Sequence, residues 1–258
     1  MSRNIISFDL KGRKALVTGG NTGIGLAIAH AMLSAGAIVA ISGRNPDKNK
    51  AALKSLKDYH TACRSFIYDL NDISGIPQFY QQASDEMNGI DVLVNNAGAQ
   101  CRGRAENIKS TDFEQILRVN LTAPFVLSQC FAQDRIARKQ PGNIIMIASL
   151  MSEAARPTTA PYTASKGGIK QLIKALAVDW AQFGIRVNGI GPGYIKTEMT
   201  RPLAEDPEFD KWVRNKTPLG RWGSPNDISG TAVFLASDAA AFITGQIIYV
   251  DGGWLASF

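Results

Sequence analysis

The chain has 258 residues, 45% of them apolar, so it is long enough to bury a substantial core. Its formal net charge is +6, but the lysines and arginines are scattered, which favours a solvated surface over a nucleic-acid site. The two histidines, His30 and His60, do not lie where a serine-type triad would need a base. The three cysteines are far apart and lack C-x-x-C spacing, so a zinc site and a disulfide framework are disfavoured.

The first predicted elements are a strand, a glycine-rich turn and a helix. Apolar residues 14–17 run into T18-G-G-N-T-G-I-G25, and a helical pattern follows from Leu26. Glycines permit positive φ and the close approach of a diphosphate, and the N–H groups at a helix N-terminus attract its negative charge. The spacing is G-x-x-x-G-x-G, not the commoner G-x-G-x-x-G. In this context the turn predicts a dinucleotide site.

The second predicted strand, residues 37–42, leads into S42-G-R-N45. An enzyme that uses NAD usually has Asp or Glu here to bond the ribose 2′-hydroxyl. Gly43 removes that carboxylate, and Arg44 offers a charged fork suited to a 2′-phosphate. We therefore predict NADP(H) over NAD(H), the alternative being that Arg44 opens a turn and extends into water.

The later strand-like runs, at 65–68, 91–94, 143–148 and 184–190, alternate with longer helical patterns. This alternation predicts an α/β fold, a single Rossmann-like doubly wound parallel sheet flanked by helices on both faces. We find no linker or repeat, so residues 1–258 are expected to form one domain. Ligands bind beyond the carboxyl ends of such strands. The residues expected there are Gly19, Gly43, Asp69, Asn95, Ser149 and Pro192.

Tyr162 and Lys166 are four residues apart in a predicted helix and therefore share a face. A nearby ammonium would lower the pKa of the phenol from its usual value of about 10. Ser149, at the end of an apolar run, could hold a substrate oxygen beside Tyr162. These residues predict proton transfer to and from a hydroxyl, although taken alone the pair could be a solvated helix face.

The motifs occur in an order that resembles the short-chain dehydrogenase/reductase family over essentially the whole chain. They are T18–G25, D91–G98, Asn120, Ser149, Y162–K166 and Pro192-Gly193. The resemblance implies that Tyr162 is the general acid/base, that Ser149 orients the substrate oxygen, and that Lys166 lowers the tyrosine pKa and binds the nicotinamide ribose. It implies that Asn120 holds a water connecting Lys166 to solvent; a structural Asn bonded to backbone is the alternative.

The resemblance also implies which residues contact NADP(H). Ile195 and Thr197 would meet the nicotinamide carboxamide, Asp69-Leu70 the adenine, and Asn96-Ala97-Gly98 would line the cleft. The remaining expected contacts are Gly19, Asn21, Thr22, Gly23, Ile24, Gly25, Arg44, Asn45, Tyr162, Lys166, Pro192 and Gly193.

Within the family, segments 152–156, 191–200, 217–223 and 250–253 are similar to gluconate 5-dehydrogenases and related sugar-acid dehydrogenases. A small anionic hydroxy or keto acid is therefore the expected substrate, with candidate contacts Ser149, Gln100, Arg102, Glu153, Arg156 and Tyr194. Cys101 and Met151 replace an Arg and a Gln common in that group, and both changes remove polar contacts.

The segment 197–215 is charged and contains two prolines, so it is either a mobile lid over the substrate or an ordinary surface helix. The family is commonly tetrameric, which implies a homotetramer; the apolar region 239–250 could serve an interface or form the last core strand.

Two other functions stay open. One is a 3-oxoacyl-[acyl-carrier-protein] reductase, for which R135-I-A-R-K139 would dock an acidic carrier; the other is a non-catalytic NADP(H)-binding regulator, against which the intact proton-transfer set argues. The sequence has no signal-peptide core at residues 1–10 and no run of about 18 apolar residues. A reducing cytoplasm, with no membrane or nucleic-acid partner, is the expected location.

Overall fold

A computed structural model describes residues 7–58 and 63–257 of the chain. Within these residues, seven parallel strands form one sheet in the order β3-β2-β1-β4-β5-β6-β7. Their bounds are β1 Lys14–Thr18, β2 Ile38–Gly43, β3 Cys63–Ile67, β4 Val92–Asn95, β5 Gly142–Ile147, β6 Ile185–Pro192 and β7 Ile247–Val250. The strand order reverses between β1 and β4, which is the switch point where ligands bind in such sheets. The predicted doubly wound parallel sheet is confirmed.

Helices cover both faces of the sheet. Their bounds are α1 Gly23–Ser34, α2 Pro46–Lys57, α3 Ile76–Met87, α4 Ser110–Leu117, α5 Ala123–Ala137, α6 Ala160–Trp180, α7 Arg201–Ala204, α8 Pro207–Lys216 and α9 Pro225–Ala236. Apolar residues of α1, α2 and α9 pack on one face, and those of α3, α5 and α6 pack on the other. Because side chains alternate along a strand, Val17 contributes to the first core and Leu16 to the second.

The turn from β1 to α1 requires glycine at several positions. Gly19 and Gly23 have φ of +60° and +55°, where side chains are strained. A Cβ on Gly25 would lie 2.4 Å from both the Asn96 amide nitrogen and the Gly19 carbonyl oxygen. The turn therefore lies directly against the chain after β4, and the two segments form adjacent walls of one crevice.

A π-helical turn, Arg118–Thr122, joins α4 to α5 and contains the buried Asn120. Such turns insert a residue into the helical repeat and occur often at functional sites. Here the turn brings Asn120 under the loop that follows β4, where its side chain bonds to Ala99.

The end of β6 differs from the sequence expectation. Strand β6 continues through Pro192, beyond its predicted end at residue 190, because Gly191 and Pro192 pair with Tyr249 and Val250 of β7. The region 239–250 contains the half-buried edge strand β7, one of the two expected alternatives. His60 lies outside the described residues. Across 7–58 and 63–257, none of the helices is both long and apolar enough to cross a membrane.

Candidate active site

A cleft of about 730 Å³ opens at the carboxyl ends of the strands, as the doubly wound topology predicts. It brings together most of the residues singled out in the sequence. These are Gly19, Asn21, Thr22, Gly23, Ile24, Arg44, Asn45, Asp69, Leu70, Asn96, Ala97, Gly98, Gln100, Arg102, Ser149, Arg156, Tyr162, Lys166, Pro192, Gly193, Tyr194, Ile195 and Thr197. One continuous surface thus joins the glycine-rich turn to the Ser149–Tyr162 pair.

Gly25 and Glu153 do not line this cleft. Gly25 is buried beneath the turn, where its role is close packing. The Glu153 carboxylate is exposed and accepts hydrogen bonds from Lys170 Nζ at 2.5 Å and from the Tyr249 hydroxyl at 2.8 Å. Lys170 holds the pKa of Glu153 below its usual value. The expected substrate contact of Glu153 is therefore not found, because this carboxylate already serves as the partner of a lysine on α6.

Tyr162 and Ser149 meet as predicted. The Tyr162 hydroxyl lies near Ser149 and Gln100, whose polar side chains favour its ionised form and oppose the effect of burial on its pKa. Ser149 follows β5, and its Oγ accepts a hydrogen bond from the Met151 N–H at 3.1 Å, which holds the side chain in place. The hydroxyl pair can therefore contact one substrate oxygen at the same time.

The predicted effect of Lys166 on Tyr162 is not found. Lys166 Nζ lies 5.6 Å from the centre of the tyrosine ring and donates to the Ile147 carbonyl at 2.6 Å. Burial raises the pKa of the phenol, because the phenolate loses hydration, and the side chains of Ser149 and Gln100 and the charge of Arg102 only oppose this. Burial also lowers the pKa of Lys166 to about 8.

Asn120 uses its whole side chain to join two parts of the site. Its Oδ1 accepts from the Ala99 N–H at 2.8 Å, and its amide donates to the Ala99 carbonyl at 2.9 Å and to Ser165 Oγ at 3.1 Å. These bonds tie the loop after β4 to α6, which carries Tyr162 and Lys166. They fit the structural role that the sequence left open, and the predicted water relay stays a prediction.

The end of the cleft beside β2 is positively charged. Arg44 is exposed there, and Asn45 caps α2 by accepting a hydrogen bond from the Lys48 N–H at 2.9 Å. A Cβ at Gly43 would lie 2.3 Å from the Asn21 amide nitrogen, so the acidic residue typical of an NAD site does not fit without displacement. An Arg beside this turn fits a phosphate on the ribose.

The opposite end of the cleft carries two guanidinium groups. Arg102 donates to Gln100 Oε1 at 3.1 and 2.8 Å, and Arg156 lies over the Phe209 ring at 4.8 Å. Desolvation and then the charge of Arg156 lower the pKa of Arg102, so the two guanidinium groups are close enough for their positive charges to repel each other. Among the described residues neither pairs with a carboxylate. Two adjacent unpaired cations favour an anionic ligand.

An aromatic cluster closes this end. Tyr194 packs against Phe209, Trp212, Trp222 and Trp254, with ring centres 5.6 to 6.1 Å apart. Because Phe209 and Trp212 belong to α8, the segment that we considered as a lid is attached to the cleft through Tyr194 and Arg156.

A family model described as enoyl-(acyl carrier protein) reductase matches residues 19–255. The chain belongs to the short-chain dehydrogenase/reductase family. It is 40% identical over 246 residues to gluconate 5-dehydrogenase of Gluconobacter oxydans, covering 95% of this chain and 96% of that protein. It is also 40% identical over 249 residues to 2-dehydro-3-deoxy-D-gluconate 5-dehydrogenase of Bacillus subtilis, covering 96% and 97%.

A solved structure of another member of the family has the same fold. It is a gluconate 5-dehydrogenase from Burkholderia cenocepacia in complex with NADP and tartrate, and it aligns with a TM-score of 0.93 at 40% identity. The alignment covers 97% of this chain and 98% of that one.

Some residues that line the cleft of the present chain were not identified from its sequence. Lys48, Met199 and Leu203 line the cleft. Met199 and Leu203 lie within segment 197–215, which we considered as a lid. Because this segment directly follows the last motif, its position in the sequence could have identified them as cleft residues. Lys48 lies four residues beyond Arg44, and that spacing was an available signal for a second cation. Its partner Glu198 is 150 residues away and was not deducible from local pattern.

Proposed function

We propose that this protein is an NADP(H)-dependent oxidoreductase that interconverts a secondary alcohol and a ketone on a sugar acid of the gluconate/5-ketogluconate type. The observation that carries the proposal is that two guanidinium groups without a carboxylate partner among the described residues, those of Arg102 and Arg156, lie in the same cleft as the Tyr162 hydroxyl. A sugar acid offers a carboxylate for the cations and a hydroxyl or carbonyl for the tyrosine. The names of its relatives support the same substrate class.

The residues of the cleft suit NADP(H) in particular. The N-terminus of α1 would receive the diphosphate, since residues 23–26 contain no acidic side chain to repel it. Arg44 would bind the 2′-phosphate, and Lys166 the nicotinamide ribose. When bound, the cofactor supplies or accepts the hydride. The relative solved with NADP supports this choice of cofactor.

The chain itself supplies the proton and the positioning. Because burial raises its pKa, Tyr162 is protonated at neutral pH and can donate to the oxygen of a ketone. Ser149 stabilises the alkoxide that develops on that oxygen. Lys166, with a pKa of about 8, can return a proton to the site near neutral pH. We propose that Asn120 aligns these groups by fixing the loop after β4 to α6.

The test follows the cofactor by absorbance in both directions: oxidation of NADPH with 5-ketogluconate or an uncharged ketose, and reduction of NADP+ with 2-dehydro-3-deoxygluconate, whose C5 hydroxyl a 5-dehydrogenase oxidises. We expect turnover of one of the keto acids, little turnover of the ketose, and loss of turnover in Tyr162→Phe with NADPH binding retained. Native turnover in the Phe variant would refute the role of Tyr162. Equal turnover of charged and uncharged ketones would refute the sugar-acid assignment.

The alternative of an acyl-carrier reductase has less support. Arg135 of the proposed docking patch is 4% exposed and pairs with Asp91 at 3.1 Å, and Arg138 pairs with Asp134. Little free positive charge is left at residues 135–139 to attract an acidic carrier. Reversing the charges of Arg138 and Lys139 should therefore leave ketone reduction unchanged, and a loss of thioester reduction in that variant would favour the carrier instead.

We also propose that residues 1–258 act as one domain, that the active form is a cytoplasmic homotetramer, and that segment 197–215 moves as a lid. Mostly exposed helices α7 and α8, attached to the cleft through Tyr194, support the last point. Sedimentation of the purified protein would test the tetramer, and a monomer that retains full turnover would refute it.

A further inference from the structure

An ion pair crosses the rim of the cleft beside Arg44. Lys48 Nζ lies 2.5 Å from Glu198 Oε2, and both side chains are about half-exposed. Lys48 belongs to the first turn of α2, whereas Glu198 belongs to the chain after β6, 150 residues later. All three residues line the cleft. The pair therefore connects the wall that carries Arg44 to the segment proposed as a lid.

Fold stability does not explain this pair. A half-exposed ion pair contributes little to stability, and a cation in the first turn of a helix opposes the helix dipole. Lys48 therefore adds positive charge to the positive end of α2, beside Arg44, where it raises the local potential for anions. Glu198 partly neutralises that charge. The hydrogen bond from Lys48, and then the charge of Arg201, lower the pKa of Glu198, so its carboxyl is ionised at neutral pH.

We propose that Lys48 is a second residue that binds the 2′-phosphate of NADP(H), and that Glu198 competes with this phosphate for Lys48. The inference rests on the proposed NADP(H) function and deepens it. A dianionic phosphate beside Arg44 attracts the Lys48 ammonium and repels the Glu198 carboxylate, so Lys48 exchanges one anion for the other. NAD(H), which has a hydroxyl there, gains nothing from the exchange. The pair thus sets how strongly the protein discriminates between the two cofactors.

The test is equilibrium binding, measured by titration calorimetry on the whole chain with NADPH, NADH and 2′,5′-ADP, the last carrying the phosphate without the nicotinamide. In Lys48→Gln, a lost charge-assisted bond should weaken NADPH and 2′,5′-ADP about tenfold and NADH less than about twofold. In Glu198→Gln, NADPH and 2′,5′-ADP should bind about two- to fivefold more tightly at low salt, while NADH is unchanged.

Lys50→Gln is the matched control, because it removes the same charge from the same helix at an exposed position outside the cleft lining. It should leave the preference for NADPH unchanged. The gain from Glu198→Gln should be smaller when Lys48→Gln is already present, since Glu198 then has no cation to withhold and only its direct repulsion of the phosphate is removed.

Each outcome bears on the proposal. If Lys48→Gln weakened the binding of NADPH and NADH equally, the ion pair would only link the two sides of the cleft rim, and the phosphate role would be overturned. Unchanged or weaker NADPH binding in Glu198→Gln would overturn the competition. If the unaltered protein binds NADPH no better than NADH, the proposed cofactor fails; if it prefers NADPH but Lys48→Gln has no effect, only this inference fails.

Discussion

The burial of Lys166 leads to a stability prediction that needs no substrate. Its pKa falls from 10.5 to about 8 through desolvation. One pKa unit corresponds to about 1.4 kcal/mol, so keeping Lys166 protonated in the folded protein costs about 3 kcal/mol of unfolding free energy. We expect Lys166→Met to remove this cost, together with the bond from Nζ to the Ile147 carbonyl.

The sign follows from proton binding. The folded pKa lies below the unfolded one, so between about pH 8 and 10.5 the unfolded chain holds more protons, and the contribution of Lys166 to stability becomes more favourable as pH rises. Its cost is complete below pH 8 and is relieved above pH 10.5. Loss of the bond to the Ile147 carbonyl shifts the difference in unfolding free energy by a constant and does not change how that difference varies with pH.

The assay is urea unfolding of the native protein and Lys166→Met from pH 7 to 11, with Lys50→Met as the baseline for an exposed lysine. The unfolding free energy of the native protein minus that of the variant should rise by about 3 kcal/mol across the window. Other titrating groups are common to both proteins and cancel in this difference. A flat difference would refute the reasoning, because it would mean that the Lys166 pKa is the same in the folded and unfolded chains.

Three further predictions concern the cleft. Arg102→Gln should raise KM for a keto acid about tenfold and leave KM for an uncharged ketose unchanged, and equal effects on both would contradict a carboxylate contact. Arg44→Ala should weaken NADPH far more than NADH in equilibrium binding, and equal losses would exclude a phosphate contact. Because its pKa is raised, Tyr162 loses its proton only at high pH, so the rate of ketone reduction should fall, and that of alcohol oxidation rise, as the pH passes that pKa; pH-independent rates would contradict its role as acid and base.

The sequence predicted those features that depend on local spacing. The β1 turn needs glycine because of its positive φ and its contact with Asn96, and both reasons leave a visible pattern in T18–G25. The four-residue interval between Tyr162 and Lys166 likewise put both side chains on the cleft side of α6. These rules act over a few residues, so they can be recognised in a single sequence.

Features set by burial and by distant partners were not predictable in this way. The spacing of Tyr162 and Lys166 suggested a lowered tyrosine pKa, but desolvation acts on both groups and reverses the expected direction for the phenol. Glu153 was expected beside the substrate, yet Lys170 and Tyr249 hold it elsewhere. In each case the partner side chain, or the exclusion of water, that determines the behaviour of the residue results from the packing of elements far apart in the chain.

The charge of the substrate and the acidity of Tyr162 are linked through Arg102. The positive charge of Arg102 is one of the few influences that lower the pKa of the phenol. A carboxylate bound to Arg102 would neutralise that charge and so raise the pKa of Tyr162 further, which keeps the proton on the tyrosine and favours ketone reduction. An anionic ketone should therefore show a fall in reduction rate at higher pH than an uncharged one, and Arg102→Gln should remove the difference between the two pH profiles. Identical profiles in the unaltered protein would show that the substrate anion does not act on the tyrosine through Arg102.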